Sequence, residues 1–298
     1  MKKPYLTLFI SIVAVSFAAV FIRSVEYASP LTIAFYRLFF TTLLVSPFVV
    51  FYKKNRDELI NIPRRTLLIM VLIGLVLASH FTLWITSLTM TSVASSVILV
   101  TAHPILVAPV AYYLLKERLS FINIFGISIS VGGIIILVLG NYGFTSITVD
   151  TLEGNVLAML GGIAAGFYIL GGRKIRKTVS IIPYAFVVYA VGTVAIFVIC
   201  LVFNSPVYNL TLKDYEIIFL MALISGLLGH TLYNWSLEYI RASVASVFLL
   251  GEPIGASLLA FAIPWINELP SIYTIIGGSI ILTGIYLTAR TSKEIKSI

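Results

Sequence analysis

Charged and titratable side chains are scarce inside the apolar runs of this 298-residue chain, and the few present form a pattern. Arg37 and Glu252 are the two charges that lie clearly within such runs, and all three histidines, His80, His103 and His230, lie within them too. A charge at the centre of a hydrocarbon layer costs at least about 2.5–3.5 kcal/mol, so each of these groups needs a partner or a task. His80 and Trp84 are four residues apart and share a helix face; His230 and Asn234 repeat that spacing, with Tyr233 and Trp235 beside them. Ser96, Leu99 and His103 make a further stripe. His103-Pro104 and Glu252-Pro253 each set a polar residue before a proline, and each proline frees a carbonyl one turn back.

These residues converge on one polar cavity between helices. The candidate substrate ligands are His80, Trp84, Ser96, His103, His230, Tyr233, Asn234 and Glu252. Glu252 and His103 are the candidates for proton coupling, since carboxyl and imidazole groups can be tuned to titrate near neutral pH. Arg37 is read as a structural charge, with an ion pair to Glu252 as one way to satisfy both.

Other chemistries find less support. The histidines and Glu252 stand on different helices, with no His-Glu-x-x-His pair and no cysteine cluster, so neither metal nor cofactor is expected. A serine hydrolase would need a Gly-x-Ser-x-Gly element, and ATP drive a glycine-rich loop ending in Lys-Ser/Thr; neither is present. Cys200 is the one cysteine, which excludes an intrachain disulfide.

The elements that must position this cavity are transmembrane helices. The chain is 59% hydrophobic and 11% charged, with a mean hydropathy of +1.05. Soluble domains carry roughly twice that charged fraction. Ten apolar runs recur, at about 5–22, 31–52, 67–87, 93–115, 121–140, 154–172, 182–203, 217–237, 243–266 and 271–289. Each is close to the roughly 20 residues needed to cross a bilayer as a helix. The expected fold class is therefore an all-α integral membrane protein, multi-pass, in the cell membrane. Lys2-Lys3 and the run after them read as a retained first span, and the longest connections fall at 52–66 and 140–153.

The net charge of +8 is not spread evenly. With the N-terminus in the cytoplasm, 17 Lys and Arg fall on the inside and two, Arg23 and Lys213, on the outside. That asymmetry retains basic loops in the cytoplasm and sets both termini there. It also leaves little case for a nucleic-acid partner. The expected partners are a small-molecule substrate and the lipid bilayer, with a monomer as the working form. Asn209-Leu210-Thr211 is a formal glycosylation sequon and carries no weight.

The chain is also written twice. Residues 87–104 match 236–253 at an offset of 149; the pairs Ser29/Ser180, Glu117/Glu268, Gly126/Gly277 and Gly133/Gly284 follow at 151. Five spans per copy is an odd number, so the second copy (147–298) crosses in the opposite sense to the first (1–146), an inverted repeat suited to alternating access. Small residues, including Gly161, Gly162 and Gly166, then Gly226 and Gly229, and Gly277, Gly278 and Gly284, read as helix-packing positions.

Taken together, these motifs resemble the EamA-like ten-span family of the drug/metabolite transporter superfamily. The resemblance rests on Ala34-Phe35-Tyr36-Arg37, on 87–95, on Leu114 through Ser120, on Ala242 through Ser246 leading to Glu252-Pro253, and on Gly277 and Gly284. It implies a five-plus-five inverted fold, a central cavity and movement of small metabolites, often amino-acid-like and commonly outward. Arg37, Glu117 and Glu252-Pro253 match recurring positions of the family. Lys116 stands where the family usually has glycine, and His103 replaces a small polar residue. The expected function is a secondary transporter, not an enzyme. An intramembrane enzyme or a lipid-moving protein using the same polar cluster remains the alternative.

Overall fold

A computed structural model describes residues 3–91, 96, 99–142, 149–208, 210–262 and 271–290. Of the residues discussed above, Lys2, 92–95, 97–98, 143–148, Asn209, 263–266, Glu268 and 291–298 lie outside that set, and with them the expected join at 146/147. Helix α1 spans Lys3–Ser24, α2 Pro30–Val50, α3 Lys53–Ile60 and α4 Arg64–Met90. They are followed by α5 at Pro104–Leu115, α6 at Phe121–Tyr142, α7 at Val149–Ile175 and α8 at Ile181–Val202. The next rod is α9 (Leu212–Met221), a π-helical stretch (Ala222–Thr231) and α10 (Leu232–Ser236). Then come α11 (Ala242–Phe248), a 3₁₀ turn (Leu249–Gly251), α12 (Glu252–Ala262) and α13 (Ile272–Arg290).

Among the described residues there is no strand, and seven helical stretches are long and apolar enough to cross a membrane. Shorter apolar helices at Leu99–Leu115, Phe121–Ile136 and Ile275–Arg290 bring the spans to ten. Large apolar side chains such as Phe9, Leu68, Tyr113, Val194 and Leu201 are exposed on the outside of the bundle. That surface suits lipid, which solvates it as well as a protein core would.

The packing follows the repeat. Helix α4 packs on α7, and its counterpart rod α9–α10 packs on α1; α2 lies against its own counterpart α8, and α6 against α13. In the last pair, a Cβ on Gly126 would meet the Gly284 carbonyl at 2.7 Å, and one on Gly133 the Gly277 carbonyl at 2.8 Å. Low numbers meet high ones, so α6 and α13 run antiparallel. The same sense holds for α2 and α8, where Ser29 bonds Ser205 at 2.5 Å and Thr42 bonds Thr193 at 3.1 Å. The two halves are inverted copies that meet face to face.

Helix ends are fixed by local bonds. Ser29 caps α2 by accepting from the Thr32 N–H, and Thr211 and Asp214 close a reciprocal capping box on α9. The connection expected at 52–66 contains the short helix α3, whose Glu58 carboxylate accepts the Ser180 N–H at 2.7 Å. Both proline sites interrupt their spans as the freed carbonyls require. Residues 102–103 form a turn before Pro104, and residues 249–251 tighten to 3₁₀ before Glu252-Pro253.

Candidate functional site

Where the interrupted spans meet α2, α4, α7 and the π stretch, their side chains line one narrow, partly open cavity. Helix α4 is regular here, so His80 and Trp84 lie one turn apart. Their rings are parallel within 5° and 5.9 Å between centroids. His80 Nδ1 is 2.9 Å from the Gly161 carbonyl, which can only accept, so Nδ1 carries the hydrogen. Gly161 allows α7 this approach: a Cβ there would already meet the Trp84 backbone nitrogen at 3.3 Å.

Arg37 enters from α2 and is 1% exposed. Its Nη2 donates to His230 Nε2 at 3.2 Å, and its guanidinium carbon lies 4.3 Å over the Phe81 ring. Arginine has donors only, so His230 Nε2 accepts and that imidazole holds its hydrogen on Nδ1. Arg37 Nε and Nη1 are buried without a partner. Whichever Nη2 hydrogen His230 takes, one complete fork of the guanidinium stays open. Glu252 lines the same cavity from the first turn of α12. Its backbone carbonyl accepts from Ser16 Oγ at 3.3 Å, while its carboxylate makes no hydrogen bond among the described residues. No Arg37–Glu252 ion pair forms within 4 Å. The two charges face one cavity without touching.

Six of the eight expected ligands line this cavity: His80, Trp84, His103, His230, Tyr233 and Glu252. Trp84 Nε1, His103 Nδ1 and the Tyr233 hydroxyl are buried there without partners. Ser96 and Asn234 are placed elsewhere. Ser96 is fully buried and bonds Ser87 Oγ at 2.6 Å. Asn234 sits behind the wall, donating to the Tyr168 hydroxyl at 2.5 Å and to the His230 carbonyl at 2.7 Å. Asn234 lies in the α-helical turn that follows the π stretch, one turn on from His230, and its amide is taken up by the Tyr168 hydroxyl and the His230 carbonyl.

Two kinds of residue escaped the sequence reading. Tyr168 lines the cavity from α7. Its hydroxyl, a polar group inside an apolar run, was a signal of the same kind as the histidines. Arg173 and Arg176, just past the expected span 154–172, are 0% and 2% exposed and join a network with Glu117 and Glu238. Among the described residues no cluster of three His, Cys, Asp or Glu side chains could hold a metal ion.

The EamA-like transporter family matches this chain twice, over residues 2–139 and again over 152–290. The chain belongs to the EamA-like transporter family. An uncharacterized transporter of Archaeoglobus fulgidus is 25% identical over 303 residues, covering 98% of this chain and 99% of that one. The uncharacterized transporter YdfC of Bacillus subtilis is 22% identical over 88% of this chain and 83% of its own. YyaM of the same bacterium, also an uncharacterized transporter, is 23% identical over 70% and 67%. A solved structure titled only as a crystal structure of protein superposes with a TM-score of 0.77 at 16% identity, over 98% of this chain and 99% of that one; it shares the fold. This EamA-like protein is thus a multi-pass membrane transporter, and its membership agrees with the resemblance drawn from its motifs.

Proposed function

We propose that this EamA-like protein is a secondary transporter for a small metabolite carrying both a carboxylate and an ammonium group, an amino-acid-like compound. One observation carries the reading. Arg37, with an open guanidinium fork, and Glu252, with an unbonded carboxylate, line one cavity without pairing. Opposite charges in a low-dielectric interior attract strongly, and leaving them apart is expensive unless something bridges them. A zwitterion bridges them: its carboxylate meets Arg37 as a two-pronged charge-assisted pair, and its ammonium meets Glu252. His80, Trp84, His103, His230 and Tyr233 supply the remaining wall.

In this reading the halves 1–146 and 147–298 rock about the cavity, the termini face the cytoplasm of a cell-membrane protein, and net movement is outward. Glu252 and His103 are the groups through which a proton gradient would drive it. The test is uptake of a labelled amino-acid pool into proteoliposomes, with and without an imposed pH gradient. Saturable flux raised by the gradient supports a proton-coupled carrier. Flux indifferent to the gradient removes the coupling and keeps the carrier. Flux of neutral or purely anionic compounds in preference to zwitterions refutes the substrate class.

A further inference from the structure

The buried charges at one end of the bundle form a fastening that the cavity itself does not require. Lys116 ends α5 in the left-handed conformation, with φ 57° and ψ 30°. The next residue, Glu117, is turned inward and is 5% exposed. Glu117 Oε1 accepts from Arg173 Nε at 3.1 Å and from the Ala242 N–H at 3.2 Å. Its Oε2 faces the Ser243 N–H at 3.5 Å and the Ser243 hydroxyl at 3.3 Å. Glu117 therefore serves as a borrowed cap for α11, supplied by α5 to the first turn of a helix in the other half.

Arg173 completes the fastening. Its Nη1 donates to the Leu237 and Glu238 carbonyls at 2.6 and 2.8 Å, just beyond the end of α10. Arg176 adds a bond to the Asn234 carbonyl at 3.2 Å and an ion pair with Glu238 at 2.5 Å. Two carboxylates and two guanidinium groups thus tie together α5, α7, α10 and α11. Helix α11 and the 3₁₀ turn after it lead from Ala242 directly to Glu252 at the cavity.

We infer that Glu117 is a positioning residue for transport. With Arg173 it holds α11 so that this end of the cavity is shut, the cytoplasmic end on the distribution of basic residues, and it must release α11 for the cavity to open there. The inference rests on the transporter activity of the family. Its test needs no substrate, so it stands or falls separately from the zwitterion reading.

The reporter is the thiol of Ala165→Cys, at a position that lines the cavity, in a Cys200→Ala background. Its reaction with a membrane-impermeant maleimide is timed in inside-out and in right-side-out vesicles. Glu117→Gln keeps the shape of the side chain and removes its charge. It is expected to raise the rate from the Glu117 end about tenfold or more, as a shift in the population open at that end, without raising the rate from the other end. Asp214→Asn removes a capping carboxylate at the start of α9, remote from the fastening, and should leave the ratio of the two rates unchanged. Should Glu117→Gln fail to fold, Ser243→Ala removes one bond to the same carboxylate and is read in the same way.

An unchanged rate overturns the proposal. So does an equal rise from both ends, or the same rise in Asp214→Asn, because either means general loosening. A thiol that reacts from neither end in Glu117→Gln overturns it as well, since an unfastened cavity must be reachable.

Discussion

Replacing Gly284 by alanine tests how closely the two halves are held. A Cβ there would lie 2.1 Å from Ser130 Oγ, 2.4 Å from the Gly126 carbonyl oxygen and 2.8 Å from the Ser130 nitrogen. The hydroxyl can rotate away; the backbone atoms cannot. The carbonyl contact is about 1 Å short of the 3.4 Å at which ordinary contact begins, so α6 and α13 must separate by about that much. A separation of 0.5–1 Å forfeits roughly a quarter to a half of each contact along the seam, on top of a typical overpacking penalty of about 1–3 kcal/mol. Gly284→Ala belongs at the upper end, about 3 kcal/mol, or roughly 100-fold in the folded-to-unfolded ratio. Gly133→Ala meets the Gly277 carbonyl and Ile281 Cγ1 at 2.8 Å, a smaller shortfall, and should cost about 1–2 kcal/mol. Gly132, its neighbour, has nothing within 4 Å, and alanine there should be neutral or stabilise by up to about 1 kcal/mol. Thermal denaturation of the detergent-purified variants, followed by loss of the monodisperse peak, should rank them Gly284→Ala, Gly133→Ala, wild type, Gly132→Ala. Gly126→Ala combined with Gly284→Ala should cost less than the two singles together, because one separation relieves both clashes. The reasoning fails if Gly284→Ala is as stable as Gly132→Ala.

Lys116→Gly should raise the denaturation midpoint by the equivalent of about 1 kcal/mol, because only glycine adopts the left-handed conformation without a Cβ penalty; a lower midpoint would show that the Lys116 side chain contributes more than its backbone strain costs. Glu252→Gln should cut flux about tenfold or more, the loss of a charge-assisted pair, while leaving the midpoint near wild type, since the carboxylate has no hydrogen bond to lose. Wild-type flux with unchanged pH dependence would remove Glu252 from the mechanism. Ser96→Ala should lower stability by about 1 kcal/mol through its bond to Ser87, with KM unchanged; a shifted KM would return Ser96 to the cavity.

The architecture was legible because it rests on signals that survive burial. Apolar runs set the spans, the offsets of 149 and 151 exposed the duplication, and an odd number of spans forced the inversion. The breaks before Pro104 and Pro253 were legible for a covalent reason, the missing proline N–H. The site was legible in part. His80 and Trp84 lie on a regular helix, and four-residue spacing puts both rings on the face that lines the cavity. The same spacing could not show that the Asn234 amide is taken up by Tyr168 from α7 and by the His230 carbonyl, because a chain pattern does not show partners on other helices. Arg173 and Arg176 read as loop charges because a chain pattern shows positive residues and not the carboxylates and carbonyls that fold back over them.

A carrier made of two identical inverted halves would have two end states of equal energy, each related to the other by the two-fold axis between the halves. The π stretch spoils that degeneracy. Helix α4, its counterpart in the first half, is regular α-helix from Arg64 to Met90, so a hydrogen-bonding ladder with wide turns exists on one side of the cavity and not on the other. Swapping the roles of the halves therefore cannot return the molecule to an equivalent arrangement. In an alternating-access carrier built this way, the empty protein would have a preferred resting orientation set by its backbone, and a bound substrate would work against or with that bias.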